Sequence, residues 1–377
     1  MNILFLTKYP VNDGSITVVM GGIIRELRGA DVNIIIFSSD DSAQQCHELE
    51  GAKVVYGKLP KPKLFNTKKD IQHLIDVCQN NNIDAVHCHG AYRPGFAAML
   101  LNKYTQIPYI LTSHHDIHPI SGRTHKRSFR RRMAKILQNS AAITHLSKPM
   151  EDAAHSFSDT SEKDYSIANA IDLEWWRQPV EPIKGNYILG LGRLISVKNF
   201  DFIIAVFIKM YADGFTTPLV IAGTGKELDN LRKQVLDAGL NLETSLEGIE
   251  NFPNKTICLP GSVIGDQKRA LFAGAQFTVF PTRFEAFGLV LIEAMVSGKA
   301  IVASDLDVFS DIAQNNHNGF LVAESDVNAW CNAITELSSN TPLRNKFEQN
   351  NCQDVNAFNW HRIASQYHEV YTDIIQH

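Results

Sequence analysis

The feature that most constrains this fold is a rhythm that runs twice along the chain. Apolar runs of strand length alternate with longer segments of helical periodicity. In the first half, residues 3–6, 32–37, 85–88, 109–111 and 141–144 read as strands, and segments near 15–28, 67–81, 94–104, 125–139 and 147–157 as helices. Such alternation predicts an α/β fold with parallel sheets covered on both faces. Near Asn169 the pattern stops, and QPVEPIKG at 178–185 has the composition of a connector. Strands resume at 187–191, 219–222, 257–259, 277–280 and 300–303, and residues 359–375 close the chain with amphipathic helical spacing. We expect a first domain over 1–170, a linker over 171–185, a second domain over 186–357, and a last helix over 358–377 that ties the two together.

At 377 residues the chain is long enough for two cores, and 44% hydrophobic with 20% charged residues is ordinary for a soluble protein. A net charge of -4 speaks against a general polyanion binder. The six cysteines form no CxxC pair, which fits a reducing cytosol. The opening MNILFLTKYP enters a strand directly, and no apolar segment is long enough to cross a bilayer. These features predict a cytoplasmic protein without a signal peptide.

Open α/β sheets bind ligands beyond the carboxyl ends of their strands, so the strand-end loops carry the functional reading. In FPTRFEAFGLVLIEAMVSGKAIVASD at 280–305, Glu285 lies in a loop and Phe287-Gly288 opens a helix that stops near Ser297-Gly298. Glu293 falls about two turns inside that helix. A helix N-terminus suits a phosphate, and a carboxylate on either side suits hydroxyls, the form of a nucleotide-sugar. GRLISVKN at 192–199 presents Arg193 and Lys198 at another strand end, Arg as a fork and Lys as a point charge for a diphosphate. Gly223 belongs to a short GTG turn, and Gly261, Ser262 and Val263 expose backbone groups that suit a base edge. Asp305-Leu306-Asp307 resembles a metal-holding DxD but follows a late strand, so we read it as a chance match and expect no metal.

In the first half, Asp13-Gly14-Ser15 either caps the following helix or seats an anion there. Gly21-Gly22 read as close packing against the sheet, and His87-Cys88-His89 as strand-end packing. TSHHDIH at 112–118 invites a metal reading, yet a strand-end loop lacks the one-face geometry of a helix. His114, with His115 second, reads better as a neutral donor or acceptor toward a sugar or phosphate. RTHKRSFRRRMAK at 123–135 concentrates Arg123, Lys126, Arg127, Arg130, Arg131, Arg132 and Lys135 among Phe129 and Met133. The run is a solvated face, a peripheral contact with anionic lipid headgroups, or a seat for an acidic acceptor. No aromatic platform accompanies it, so nucleic acid is not expected.

Taken together, these motifs resemble the family four retaining glycosyltransferases. PTRFEAFGLVLIEAM resembles that family's E-x7-E signature, and GRLISVKN its GR-x-x-x-x-KN loop. IAGTG at 221–225, LPGSV at 259–263 and VASD at 302–305 follow in the family's order, and FNWHRIASQYHEVY at 358–371 is similar to its crossing C-terminal helix. The resemblance implies the GT-B fold, two Rossmann-like domains with the acceptor on the N-terminal one and the nucleotide-sugar on the C-terminal one. It implies Glu293 on the ribose, Glu285 on the transferred sugar, and Arg193 and Lys198 on the diphosphate in place of a metal. The amides of Phe287, Gly288 and Leu289 would help, Gly14 would approach the diphosphate, and His114 would lie near the transferred sugar.

The activity implied is retaining, metal-independent transfer from a UDP- or GDP-type sugar to a hydroxyl of a glycan, lipid-linked or small-molecule acceptor. Bacterial glycan, lipopolysaccharide or glycolipid synthesis is the setting, in the cytoplasm or on the inner face of the membrane, and no cofactor is required. The sequence departs from the family at Ser15, where a second glycine is usual, and at Ala170, where a glycine would tolerate positive φ. Residues 241–256 read as a local insertion. The alternatives are a nucleotide-sugar-binding regulatory protein without turnover and a GT-B relative such as an epimerase.

Overall fold

The computed structural model describes residues 1–8, 15–39, 46–63, 66–114, 117 and 126–376. The chain divides into two units, residues 1–171 with 358–377, and residues 172–357. In the first unit the strands are β1 (Asn2–Thr7), β2 (Asn33–Ser38), β3 (Glu48–Leu49), β4 (Ala52–Tyr56), β5 (Ala85–His89), β6 (Tyr109–Thr112), β7 (Ala142–His145) and β8 (Asp164–Ser166). Their order is β3-β4-β2-β1-β5-β6-β7-β8, and only the β3–β4 pair is antiparallel. The central strands are apolar on both faces because helices cover both: Ile3, Leu4, Phe5 and Leu6 are fully buried. The sequence reading finds β1, β2, β5, β6 and β7 and misses β3, β4 and β8, which are short strands at or near the sheet edges without a fully buried run.

The helix Ser15–Leu27 packs under the C-terminal helix Trp360–Gln376. A Cβ at Gly22 would lie 2.1 Å from the Trp360 ring, so this glycine admits the terminal helix and not, as expected, the sheet. The terminal helix buries Trp360, Ile363, Ala364, Tyr367, Val370 and Tyr371, the stripe its periodicity predicts. Its entry is fixed by the Ile171 amide, which donates to the Phe358 carbonyl at 3.2 Å. Ala170 is fully buried and is not among the residues with positive φ, so the feared backbone cost does not arise.

In the second unit the strands are β9 (Ile188–Leu191), β10 (Leu219–Ala222), β11 (Asn241–Glu243), β12 (Thr256–Cys258), β13 (Thr278–Phe280), β14 (Ile301–Ser304) and β15 (Gly319–Val322). The order is β11-β12-β10-β9-β13-β14-β15, with every pair parallel. Both units are Rossmann-like. The expected insertion at 241–256 supplies the edge strand β11 and a 3-10 turn, Ile249–Asn251. Residues 172–185, expected as part of a linker, are built onto the second unit. Asp172 caps the helix Leu173–Arg177 through the Trp175 amide at 2.9 Å, and the buried Arg269 guanidinium donates to the Trp175 and Gln178 carbonyls at 2.7 and 2.8 Å.

Candidate functional site

From β9 the second sheet is extended in one direction toward β11 and in the other through β13 toward β15, so the β9/β13 boundary is its topological switch point. Loops leaving such a boundary diverge and open a crevice at the strand ends. The loop after β9 carries Arg193 and Lys198, and the loop after β13 carries Glu285. Backbone bonds fix both. The Gly192 amide donates to Ala222 O at 3.0 Å, Leu194 to Thr224 O at 2.8 Å, and Gly223 to Gly261 O at 2.7 Å. A Cβ at Gly223 would sit 1.9 Å from Gly192 O, which explains a glycine that the motif alone left weak. On the other side the Arg283 amide donates to Val197 O at 2.8 Å, and the buried Thr282 hydroxyl bonds Val197 O at 3.0 Å and Phe284 O at 2.9 Å. Thr282 thereby stitches the two loops together.

That stitching brings Lys198 Nζ onto Glu285 Oε1 in a hydrogen-bonded ion pair, with the two side chains only 17% and 16% exposed. Gly288, at φ +104, forces the helix to begin at Leu289, and a Cβ there would press on the Phe309 ring at 2.7 Å. Phe287 is buried beside it. Glu293 is therefore about one turn inside the helix Leu289–Val296 instead of two. Its carboxylate pairs with Lys268 on the helix Gly265–Gly274, a partner the sequence reading missed. Arg193 is exposed and makes no ion pair among the described residues. Gly261 has φ +86, Ser262 is exposed and Val263 is buried at the end of β12.

In the first unit Gly14, His115, His118 and Arg123 lie outside the described residues, and Ser15 is described only as the first residue of its helix. His114 is buried, stacked on His89 with ring centroids 5.6 Å apart, and its Nε2 lies 3.3 Å from His89 Nδ1. His87 bonds the Tyr371 hydroxyl through Nδ1 at 2.6 Å and the Thr112 hydroxyl through Nε2 at 2.7 Å. Burial, with His114 nearby, pushes His87 down to about 3, and burial beside His87 and His114 holds His89 well below the usual range. Both imidazoles are neutral.

The basic run forms the helix Arg127–Asn139, and its apolar residues Phe129, Met133, Ile136 and Leu137 face inward, so none is offered to a lipid surface. Arg130 lies over the Phe157 ring at 4.6 Å and bonds Ser156 O, and Arg132 bonds the Tyr92 hydroxyl at 2.6 Å. Arg127, Arg131 and Lys135, at i, i+4 and i+8, are exposed with Lys126. Among the described residues, one group has its ligand atoms close enough for a metal: Glu151, His155 and Asp164, within 4.8 Å of one another. Asp164 there already accepts from His145 at 2.8 Å and His155 at 2.5 Å. Asp305 and Asp307 are not part of it. No described helix is long and apolar enough to cross a membrane.

Two family models match successive parts of the chain. Glycosyltransferase Family 4 matches residues 16–175, and Glycosyl transferases group 1 matches residues 173–354. An uncharacterised glycosyltransferase of Methanocaldococcus jannaschii is 24% identical, with 99% of each chain covered. A phosphatidyl-myo-inositol mannosyltransferase of Mycobacterium tuberculosis is 24% identical over 78% of this chain and 75% of its own. Among solved structures, HepE of Anabaena in complex with UDP superposes with a TM-score of 0.80 at 17% identity, over 99% of this chain and 100% of that one.

Proposed function

Because the chain belongs to the glycosyltransferases of the GT-B fold, we propose that it moves a sugar, with retention and without a metal, from a UDP- or GDP-type donor to a hydroxyl acceptor. The observation that carries this reading is the group of charged residues on the strand-end loops and helices of the second sheet: Lys198 pairs with Glu285 across the β9/β13 boundary, Arg193 is exposed on the same loop as Lys198, and Glu293 pairs with Lys268. Such a cluster suits a molecule with anionic phosphates in the middle and hydroxyls at its ends. Binding of UDP and of UDP-glucose by Anabaena HepE supports the donor class.

In the proposed reaction the bond from the anomeric carbon to the diphosphate oxygen breaks, and the acceptor oxygen bonds that carbon from the same face. The acceptor's proton passes to a departing phosphate oxygen, so no protein nucleophile takes part. Arg193 and Lys198 stabilise the charge that develops on the diphosphate. Glu285 takes the hydroxyls of the transferred sugar and Glu293 those of the ribose. The amides of Phe287, Gly288 and Leu289 add donors at the helix start, and Gly223, Gly261, Ser262 and Val263 border the nucleotide.

The acceptor is a glycan, lipid-linked or small-molecule hydroxyl. A lipid-linked one is favoured by the mannosyltransferase relative, whose name specifies phosphatidyl-myo-inositol, and by the exposed face of Arg127, Arg131 and Lys135, which suits anionic headgroups of the inner leaflet. The deciding experiment is a thermal-shift screen with UDP-, GDP- and ADP-sugars, followed by nucleotide release measured with and without acceptor. Release that rises with an acceptor supports transfer. Donor binding without turnover across a broad acceptor panel would overturn it.

A further inference from the structure

We propose that Lys268 is a positioning residue that locks the Glu293 carboxylate for the ribose, and so sets how strongly the protein tells a ribonucleotide from a deoxyribonucleotide. The inference rests on the donor reading above and adds a residue to it. Lys268 Nζ bonds Glu293 Oε1, and the two side chains are only 20% and 14% exposed. The lysine is itself confined. Its Nζ lies 5.5 Å above the Trp176 ring, and Trp176 packs edge-on against Phe272 and Trp175, with centroids 5.7 and 5.5 Å away. The next residue, Arg269, bonds Asp266 at 2.7 Å on its own helix and the Trp175 and Gln178 carbonyls on the neighbouring segment. Helix, aromatic floor and cation are therefore one assembly.

A carboxylate offers about four lone-pair sites on two oxygens. With Lys268 occupying Oε1, the Glu293 side chain keeps one orientation, and the sites that remain can accept from two neighbouring hydroxyls. A glutamate without that partner divides itself among rotamers and must be ordered by the ligand, which lowers affinity. Lys268 also lies on the helix that directly follows the Gly261–Val263 loop, which places this pair at the nucleoside end. Lys198, paired with Glu285, belongs to the diphosphate and sugar end.

The test is titration calorimetry on the full chain with UDP and 2′-deoxy-UDP, and with GDP and 2′-deoxy-GDP, for the native protein, Lys268→Met and Lys268→Arg. The native protein should prefer the ribo form by about tenfold or more, as the one hydrogen bond from the 2′-hydroxyl to a charged acceptor allows. In Lys268→Met that preference should collapse toward one through loss of ribonucleotide affinity, while Lys268→Arg keeps most of it. In turnover the donor KM should rise in Lys268→Met with kcat changed by no more than about threefold, the pattern of lost uniform binding. If Lys268→Met does not fold, Lys268→Gln carries the same comparison. An undiminished ribo preference in the uncharged variant overturns the inference and leaves the donor reading standing. Native protein that binds no nucleoside diphosphate removes both.

Discussion

Removing Lys198 separates the structural from the chemical work of the switch-point loops. The Lys198–Glu285 pair is mostly but not fully covered, at 17% and 16% exposed. Lys198→Ala leaves the Glu285 charge unpaired, a loss of about 1–3 kcal/mol, below the 3–5 kcal/mol of a fully buried broken pair. Glu285→Gln leaves Lys198 unpaired at similar cost, and the double variant strands neither charge. Stability should therefore recover in the double variant, with a coupling energy of about 1–2 kcal/mol measured by urea unfolding of all four proteins. Turnover should not recover. If Lys198 stabilises the departing diphosphate, its loss costs about 100- to 1000-fold in kcat/KM, equivalent to about 2.7–4 kcal/mol of transition-state stabilisation. Acceptor-dependent nucleotide release reads that loss directly. A double variant that regains turnover together with stability would show that the pair only braces the loops, and the catalytic assignment would fall.

Acid sensitivity follows from the buried imidazoles. His87 is held down at about 3 and His89 well below its ordinary value, while both protonate near 6.5 once unfolded. Below pH 6.5 the unfolded chain holds more protons, so stability falls as pH drops, by about 1.4 kcal/mol per pH unit for each histidine, and the loss stops only at the folded value. Unfolding measured between pH 7 and 5 should show this slope, and His87→Gln should flatten it; an unchanged slope refutes the assignment. Gly22→Ala drives a Cβ to 2.1 Å from Trp360 and should cost about 1–3 kcal/mol by overpacking, with Trp360→Leu relieving part of it in the double variant. Full additivity in melting experiments would show that the two do not meet. Reversing Arg127, Arg131 and Lys135 to Glu should weaken binding to anionic vesicles at little cost to stability, whereas reversing Arg130 and Arg132 should lower stability through Ser156, Phe157 and Tyr92. Vesicle binding indifferent to the first set rejects the lipid surface.

What was legible in the sequence, and what was not, divides along a physical line. A central parallel strand is buried on both faces, so Ile3–Leu6 and Leu219–Ala222 must be continuous apolar runs and declare themselves. The edge strands β3, β8 and β11 carry no such requirement and pass unnoticed. Glu285 and Lys198 were visible because each follows such a run, but a loop's residues say nothing about which opposite charge they will meet. That depends on the strand order, which sets β13 beside β9 although 87 positions separate Lys198 from Glu285. Lys268 was hidden more deeply. Nothing in GDQKRALFAG distinguishes it from a solvated helix lysine, and only the neighbouring helix Leu289–Val296 and the ring of Trp176 give it a partner and a floor. The basic run shows a further limit. Its composition leaves a solvated face, a lipid contact and an acidic-acceptor seat all open, whereas a helix of 13 residues sorts its arginines by angle, and two of them, Arg132 and Arg130, are engaged by Tyr92 and Phe157. Local pattern thus reports where a group stands along the chain, while its charge state and availability are decided by what the topology sets beside it.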